Sequence, residues 1–432
     1  MKTYENMKTS TVFWLGKIPD HWEERFLEQT CYEKCEKNIG NVESNVLSLS
    51  YGYIIKKKNV YSGLVAKDFS TYQIVNNGDI ILRFTDLQND HKSLRTGLVT
   101  QTGIITSAYT CIVPTINSAY LRYLLHAYDL RKVFYGMGGG VRQSIGYKDV
   151  RHMTVIVPTK DEQEQIVRFL DWKTSEINNL IKIKKRRLAI VQELIDKQFR
   201  LLSSKATQKS RLKYMVDLCQ DFIEINPTEY YYKTGMYNRG RGIFRREAMI
   251  GEDMGDSSFQ EIHSGCVMIS GQFAWEAATY VTAKEDEEGV ASHRYYLLKP
   301  NSSLPSEYIW AFLISDYGQM LMKSCSHGAA GRNRPLNIKE LLNEYIPVPN
   351  NTNEKEMNSL INSVKEMMRL RKATIKEEQL LTEMCSSLIY DVVTGKIDVR
   401  GIEIPEYEYT AEEADPDSEA EDDEMEEGDD EV

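Results

Sequence analysis

Apolar positions recur with a helical period in two long stretches of the chain. From Asp161 to Leu202 a seam runs through Ile166, Leu170, Lys173, Ile177, Ile181, Lys184, Leu188, Val191, Ile195, Gln198 and Leu202. Its steps alternate mainly between three and four residues, which keeps one face turned toward a partner helix. A second seam, Leu360, Val364, Met367, Arg371, Thr374, Glu378, Leu381, Cys385, Leu388 and Val392, has the same alternation but is polar in its middle. Elsewhere, short runs rich in β-branched and aromatic residues, bounded by Gly, Asn and Asp, predict strands. These lie at Gln73–Val75, Ile80–Phe84, Leu98–Ile105, Tyr109–Val113, Val267–Ile269 and Tyr295–Leu298. The pattern predicts an α+β protein.

The elements repeat. Ile145 to Pro158 (IGYKDVRHMTVIVP) aligns with Leu336 to Pro349 (LNIKELLNEYIPVP) at an offset of 191, which also carries Gly140 onto Gly331, Ile166 onto Met357 and Phe169 onto Leu360. Upstream the register drifts by a few residues, yet GDIILR at 78–83 resembles GCVMIS at 265–270, and Tyr120–Leu125 resembles Tyr308–Leu313. The expected organisation is a lead segment (1–20), a strand-rich domain (21–160), a long helix (161–207), a second strand-rich domain (208–349), a second long helix (350–402) and an acidic tail (403–432). At about 1.5 Å per residue, an unbroken helix over 161–202 would be a rod of roughly 60 Å. Two such rods packed together would act as a fixed spacer between the strand-rich units. Long helices buried in a common core are the alternative.

Charge changes the picture once it is divided along the chain. The net charge is −11, but residues 403–432 hold 17 acids and no base, leaving 47 acids against 53 bases in residues 1–402, a net of +6. A mildly basic body suits a polyanion, and the acidic, aliphatic-poor tail is expected to be disordered. No run approaches the roughly 18 apolar residues of a spanning helix, and Met1–Leu15 lacks the basic and apolar segments of an export signal. A cytoplasmic protein without membrane association is therefore expected. Seven cysteines occur without a CxxC pair, and are read as reduced thiols serving mainly in packing.

Catalytic signatures are missing. Gly136-Met-Gly-Gly-Gly140 lacks the Lys-Ser/Thr of a phosphate-binding loop, and no strand-linked GxGxxG occurs. Asn226-Pro227-Thr228 is not the Asn/Asp-Pro-Pro-aromatic tetrapeptide of amino-methyltransferases, and the seven histidines show no HExxH or other metal-ligand spacing. A binding protein is expected rather than an enzyme, with no catalytic residue and no metal.

Candidate binding residues gather around glycines. Arg239, Arg241, Arg245 and Arg246 fall within RGRGIFRR, and a guanidinium fork suits phosphate or the O6/N7 edge of guanine. Two glycine loops in equivalent places present Arg142, Gln143 and Ser144 in the first half and Arg332, Asn333 and Arg334 in the second. Arg, Asn and Gln can read base edges bidentately. Solvated hairpins and tight turns are the competing explanations. On the first helix, Lys182, Lys184, Lys185, Arg186 and Arg187 form a basic run suited to DNA phosphates, an acidic partner or plain solvent.

These pieces resemble a family. Trp14–Trp22 (WLGKIPDHW) resembles the WLGxIPxHW start of a target-recognition domain in the specificity subunits of type I restriction-modification enzymes. Ile156–Leu170 (IVPTKDEQEQIVRFL) is similar to that family's IPxPxxxEQxxIxxFL junction, Asp171–Ile181 (DWKTSEINNLI) to its DxKTxxIDxLI helix, and Leu388–Gly401 (LIYDVVTGKIDVRG) to the end of its second helix. The likeness extends to about residue 402. The second junction, Ile346-Pro-Val-Pro-Asn-Asn-Thr-Asn-Glu-Lys-Glu-Met, lacks the Glu-Gln pair, and the acidic tail lies outside the pattern.

The resemblance implies a pseudo-twofold subunit without catalysis of its own. Two target-recognition domains would each read half of a split target in double-stranded DNA, and two helices would form an antiparallel coiled coil that fixes the gap. Ile177, Ile181, Leu188, Val191, Ile195, Leu381 and Leu388 would line the spacer and partner helices. Methyltransferase subunits would bring S-adenosylmethionine, and restriction motor-nuclease subunits would use ATP and Mg2+. A coiled-coil scaffold whose strand-rich domains bind proteins is the reading from another class.

Overall fold

The computed structural model describes residues 2–50, 52–57, 69–85, 95–137, 145–301, 304–328, 334–349 and 353–410. They form two compact units, one of residues up to 181 together with 379–410, the other of 182–378.

In the first unit a four-stranded antiparallel sheet has the order Cys31–Lys34, Thr110–Pro114, Ile80–Leu82, Thr96–Leu98. The helix Ser118–Leu130 starts where the Asn117 side chain accepts the Tyr120 N–H at 3.0 Å, satisfying a donor that has no partner in the first turn. Its Tyr120, Leu121, Leu124, Leu125 and Tyr128 are buried in the unit's main core. A separate antiparallel pair, Glu23–Phe26 with Thr154–Val157, leads into the first long helix.

The second unit repeats this scheme. Its four-stranded sheet has the order Val216–Cys219, Tyr295–Pro300, Val267–Ser270, Thr279–Val281, and the pair Gln208–Arg211 with Tyr345–Val348 precedes the second long helix. The intervening helix is broken into Ser306–Ile314 and Asp316–Ser324. At the break Ser315 caps the second piece by accepting the Gly318 N–H at 3.2 Å. Matching strand order in both units is the structural form of the 191-residue repeat.

Two features depart from the strand pattern read in the sequence. The run Leu98–Ile105 is two strands, Thr96–Leu98 and Gly103–Ile105, because polar Thr100-Gln101-Thr102 interrupts it and each half pairs elsewhere. The second unit also has a five-stranded sheet ending in a long hairpin, Tyr230–Tyr237 with Gly242–Ile250. Charged and exposed positions on both hairpin strands conceal the apolar alternation.

The first long helix runs unbroken from Lys160 to Ser204 and the second from Glu354 to Val393. In the first unit Ile166, Phe169 and Leu170 share a core with Ile389, Tyr390, Val392 and Val393. In the second, Ile195, Phe199 and Leu202 share one with Leu360, Val364 and Met367. Within that unit the contacts Lys184–Glu377, Gln192–Arg371, Gln198–Ser359 and Lys205–Glu356 descend one helix as they climb the other, so the two helices pack antiparallel there.

The motifs at the two ends and at the first junction meet in the first unit. Buried Glu162 receives His21 Nε2 at 2.8 Å and the Thr159 hydroxyl at 3.1 Å, with Arg400 at 3.7 Å. Fully buried Trp22 lies against Gly395, whose φ of +71° and closeness to Pro19 leave no room for a side chain. Gln165 donates to the carbonyls of Val399 and Ile402. At the offset of 191 the place of Glu162 falls to neutral Asn353, so the second junction lacks this acidic anchor.

No helix of the described residues is long and apolar enough to cross a membrane, and no cluster of His, Cys, Asp and Glu among them could hold a metal ion.

Candidate nucleic-acid interface

The tip of the long hairpin is Asn238-Arg239-Gly240-Arg241. Positive φ angles at Arg239 (+58°) and Gly240 (+62°) give the backbone the left-handed twist that a tight hairpin needs, and glycine supplies the second at no steric cost. The tip is sewn to the segment after Val267–Ser270. Arg239 N–H donates to the Glu276 carbonyl and Gly240 N–H to the Ala277 carbonyl, both at 2.8 Å, while the Asn238 amide binds the Glu276 carboxylate. Arg239 is exposed. Arg241 is half-buried, with its Nε on the Asn238 carbonyl at 3.1 Å and its guanidinium over the Tyr237 ring at 5.4 Å.

Beside this tip stands Trp275. The exposed Arg334 guanidinium lies over its ring at 5.4 Å, so a residue from the second glycine loop reaches the same edge as the hairpin arginines. The loop is anchored by Leu336 N–H on the Gly271 carbonyl, and Gly271 N–H in turn reaches the Arg294 carbonyl, both at 2.7 Å. Arg239, Arg241, Trp275, Arg294 and Arg334 thus gather at one end of the second unit's sheet. Arg332 and Asn333 lie outside the described residues. Arg245 and Arg246 sit farther along the hairpin strand, and Arg245 pairs with Glu288, which places it apart from the tip.

The first unit has the corresponding anchor. Ile145 N–H approaches the Phe84 carbonyl at 3.4 Å, the counterpart of Leu336 on Gly271. Arg142, Gln143 and Ser144 lie outside the described residues. In the described part of this unit Arg95 is a fully buried arginine whose Nη1 donates to the carbonyls of Arg83 at 3.0 Å and Thr85 at 2.6 Å, on either side of Phe84.

Beneath the hairpin tip of the second unit is a buried cation that the sequence pattern registered only as a polar interruption. Arg371 donates to Gln192 Oε1 at 3.1 Å, and its guanidinium packs over Trp310 at 5.5 Å. Burial, and secondarily the charge of Arg241, lower its pKa to about 10. A groove of about 560 Å³ runs alongside, floored by Val281, Val364 and Met368 and rimmed by Lys365, Arg369, Lys372 and Lys376. Lys372 binds Glu285 at 2.9 Å, which holds the Glu285 carboxyl below its usual range.

Of the residues expected on the spacer, Ile177 and Ile195 are buried, whereas Ile181, Leu188, Val191, Leu381 and Leu388 are half-buried. Trp275 and Arg294 escaped the sequence reading, and Arg371 entered it only as a polar position of the second seam. A signal for the hairpin existed in Asn238-Arg-Gly-Arg241, a turn sequence between two β-rich runs.

No family model matches the chain, and no curated protein matches it significantly in sequence. Solved structures do match. A chain from a structure concerned with complex assembly and conformational transition of the type I R-M system is 14% identical, with a TM-score of 0.52 over 88% of this chain and 99% of that one. The HsdS subunit from Thermoanaerobacter tengcongensis is 14% identical, with a TM-score of 0.39 over 88% and 98%. The type I restriction-modification S subunit from M. genitalium is 11% identical, with a TM-score of 0.46 over 91% and 98%. The fold of this chain is therefore one found in type I restriction-modification systems.

Proposed function

We propose that this chain is a DNA-sequence specificity subunit of a type I restriction-modification complex, without catalytic activity of its own. The observation that carries the reading is the duplicated unit: one sheet topology occurs twice, each copy preceding a long helix, in a fold shared over nearly the whole chain with a type I R-M protein. Two similar modules in one chain suit a target split into two unlike halves. In this reading the domains are 21–160 and 208–349, and helices within 161–207 and 350–402 form an antiparallel coiled-coil spacer. The arginine-rich end of the second unit, with the loop bearing Arg332, Asn333 and Arg334, meets one half-site. The loop bearing Arg142, Gln143 and Ser144 meets the other, and Arg245 and Arg246 contact phosphate.

Partner docking is supported by a stripe on the first long helix. Ile183, Ile190, Leu194 and Leu201 are each roughly half exposed and follow in steps of seven, four and seven residues, a second seam facing away from the core. Methyltransferase subunits carrying S-adenosylmethionine would cover it, and motor-nuclease subunits using ATP and Mg2+ would join through them. The test is a genome-wide map of methylated adenines with the gene intact and deleted. Loss of one split motif with a constant gap is expected; an unchanged map in a strain whose partner methyltransferase is active would sink the proposal.

A further inference from the structure

The path of the chain after the second long helix carries the acidic tail toward a basic strip. Residues 402–410 have no regular secondary structure, yet the chain from Val399 onward follows the first long helix. Gln165 Nε2 donates to the carbonyls of Val399 and Ile402 at 3.0 and 2.8 Å. Ser175 Oγ donates to the Glu408 carbonyl at 3.0 Å and accepts the Thr410 N–H at 2.7 Å, and Asn178 Nδ2 donates to the Thr410 carbonyl at 3.1 Å. The segment therefore advances in the same direction as the helix and has reached Asn178 at Thr410. Positions 175, 178, 182 and 186 follow in steps of three, four and four, which puts them on one helical face. Lys182 and Arg186 are exposed on the continuation of that face. Lys184, Lys185 and Arg187 are beside them, and these three also meet Glu377, Glu378 and Glu366 of the second helix.

Residues 411–432 contain fourteen acids and no base. Arg186 lies eight residues beyond Asn178, about 12 Å along a helix, whereas an extended segment of this length reaches roughly 70 Å. We propose that residues 411–432 continue along this face and cover Lys182–Arg187 as an intrachain polyanion, excluding other polyanions from that strip. A tether this short gives the tail an effective concentration in the millimolar range. At that concentration even a weak tail contact, with an intrinsic dissociation constant of about 10⁻⁴ M, would weaken nonspecific duplex binding about tenfold, while a specific site held by further contacts would still bind. The DNA half of this inference rests on the proposed function; the contact between tail and helix does not.

Carbodiimide cross-linking of the full chain followed by peptide mass spectrometry tests the contact. Links from Lys182, Lys184 or Lys185 to acids of 412–431 are expected at about 50 mM salt and should vanish at about 500 mM. Their absence at low salt, or links only to lysines elsewhere, overturns the proposal. In parallel, fluorescence anisotropy with a duplex of arbitrary sequence compares the native chain with one whose fourteen tail acids are changed to Gln and Asn, folding being checked by circular dichroism. Neutralisation should tighten binding about tenfold, and adding Lys182→Gln and Arg186→Gln should remove the gain. Equal affinity of the native and neutralised chains overturns the masking role. Cross-links present with no DNA binding by either chain would instead count against the specificity-subunit reading and leave the tail contact standing.

Discussion

Arg371 illustrates how one residue serves two structures. Lying on the second long helix, it fills the space below the hairpin tip and binds Gln192 of the first, so the polar middle of the apolar seam is a packed cation rather than a solvated gap. Removing it leaves the Gln192 carbonyl without this donor and a void beside Trp310. Arg371→Ala should lower stability by about 2–4 kcal/mol in urea unfolding, with Arg371→Met costing less because it refills the volume. Arg334 is the opposite case, an exposed side chain poised on Trp275. Arg334→Ala should relax base selection in only one half of the methylated motif, with little change in thermal unfolding; loss at both halves would contradict the assignment. The cysteines also separate by environment. Burial pushes the thiols of Cys31 and Cys266 up to about 11, and burial together with the Asp79 charge pushes Cys111 to about 12. Since the thiolate is the nucleophile, iodoacetamide near pH 8 should label exposed Cys35 well before these three.

At the scale of elements, both long helices were legible because a period of three and four persists for some forty residues, and local irregularities cannot erase it. Short strands were harder. Their edges depend on pairing partners far away in the chain, as when Gly103–Ile105 leaves its neighbour Leu98 to pair with Gln73–Val75. The candidate interface was half legible. Arginines beside glycines stand out in any sequence, but the gathering of Arg239 and Arg334 around Trp275 is tertiary and left no local spacing to read. Two expectations belong to the helices. Ile190→Asp, on the exposed second seam, should weaken copurification with the proposed methyltransferase partner at least tenfold while leaving the isolated chain folded. A matched deletion of seven residues from the middle of both helices removes about 10 Å of rod. The methylated motif should then keep its half-site bases and lose about three base pairs from its gap, at 3.4 Å per step.

The whole molecule is organised by the crossing of its two units along the chain. The first unit takes residues from both sides of the second, with Lys2 bridging to Asp398 and Trp22 packed on Gly395, whereas the described residues of the second are one continuous stretch from 182 to 378. During synthesis the consequence is an order of events. The second unit has all its described residues as soon as position 378 has cleared the ribosome, while the first waits for its closing helix turns and the bridge at Asp398 after nearly two hundred intervening residues have been made. At typical elongation rates that delay is roughly 10 to 40 s. Throughout it, the early strands and the apolar start of the first long helix stand without Ile389, Tyr390, Val392 and Val393, so the nascent first unit is the part of this protein that chaperones would meet.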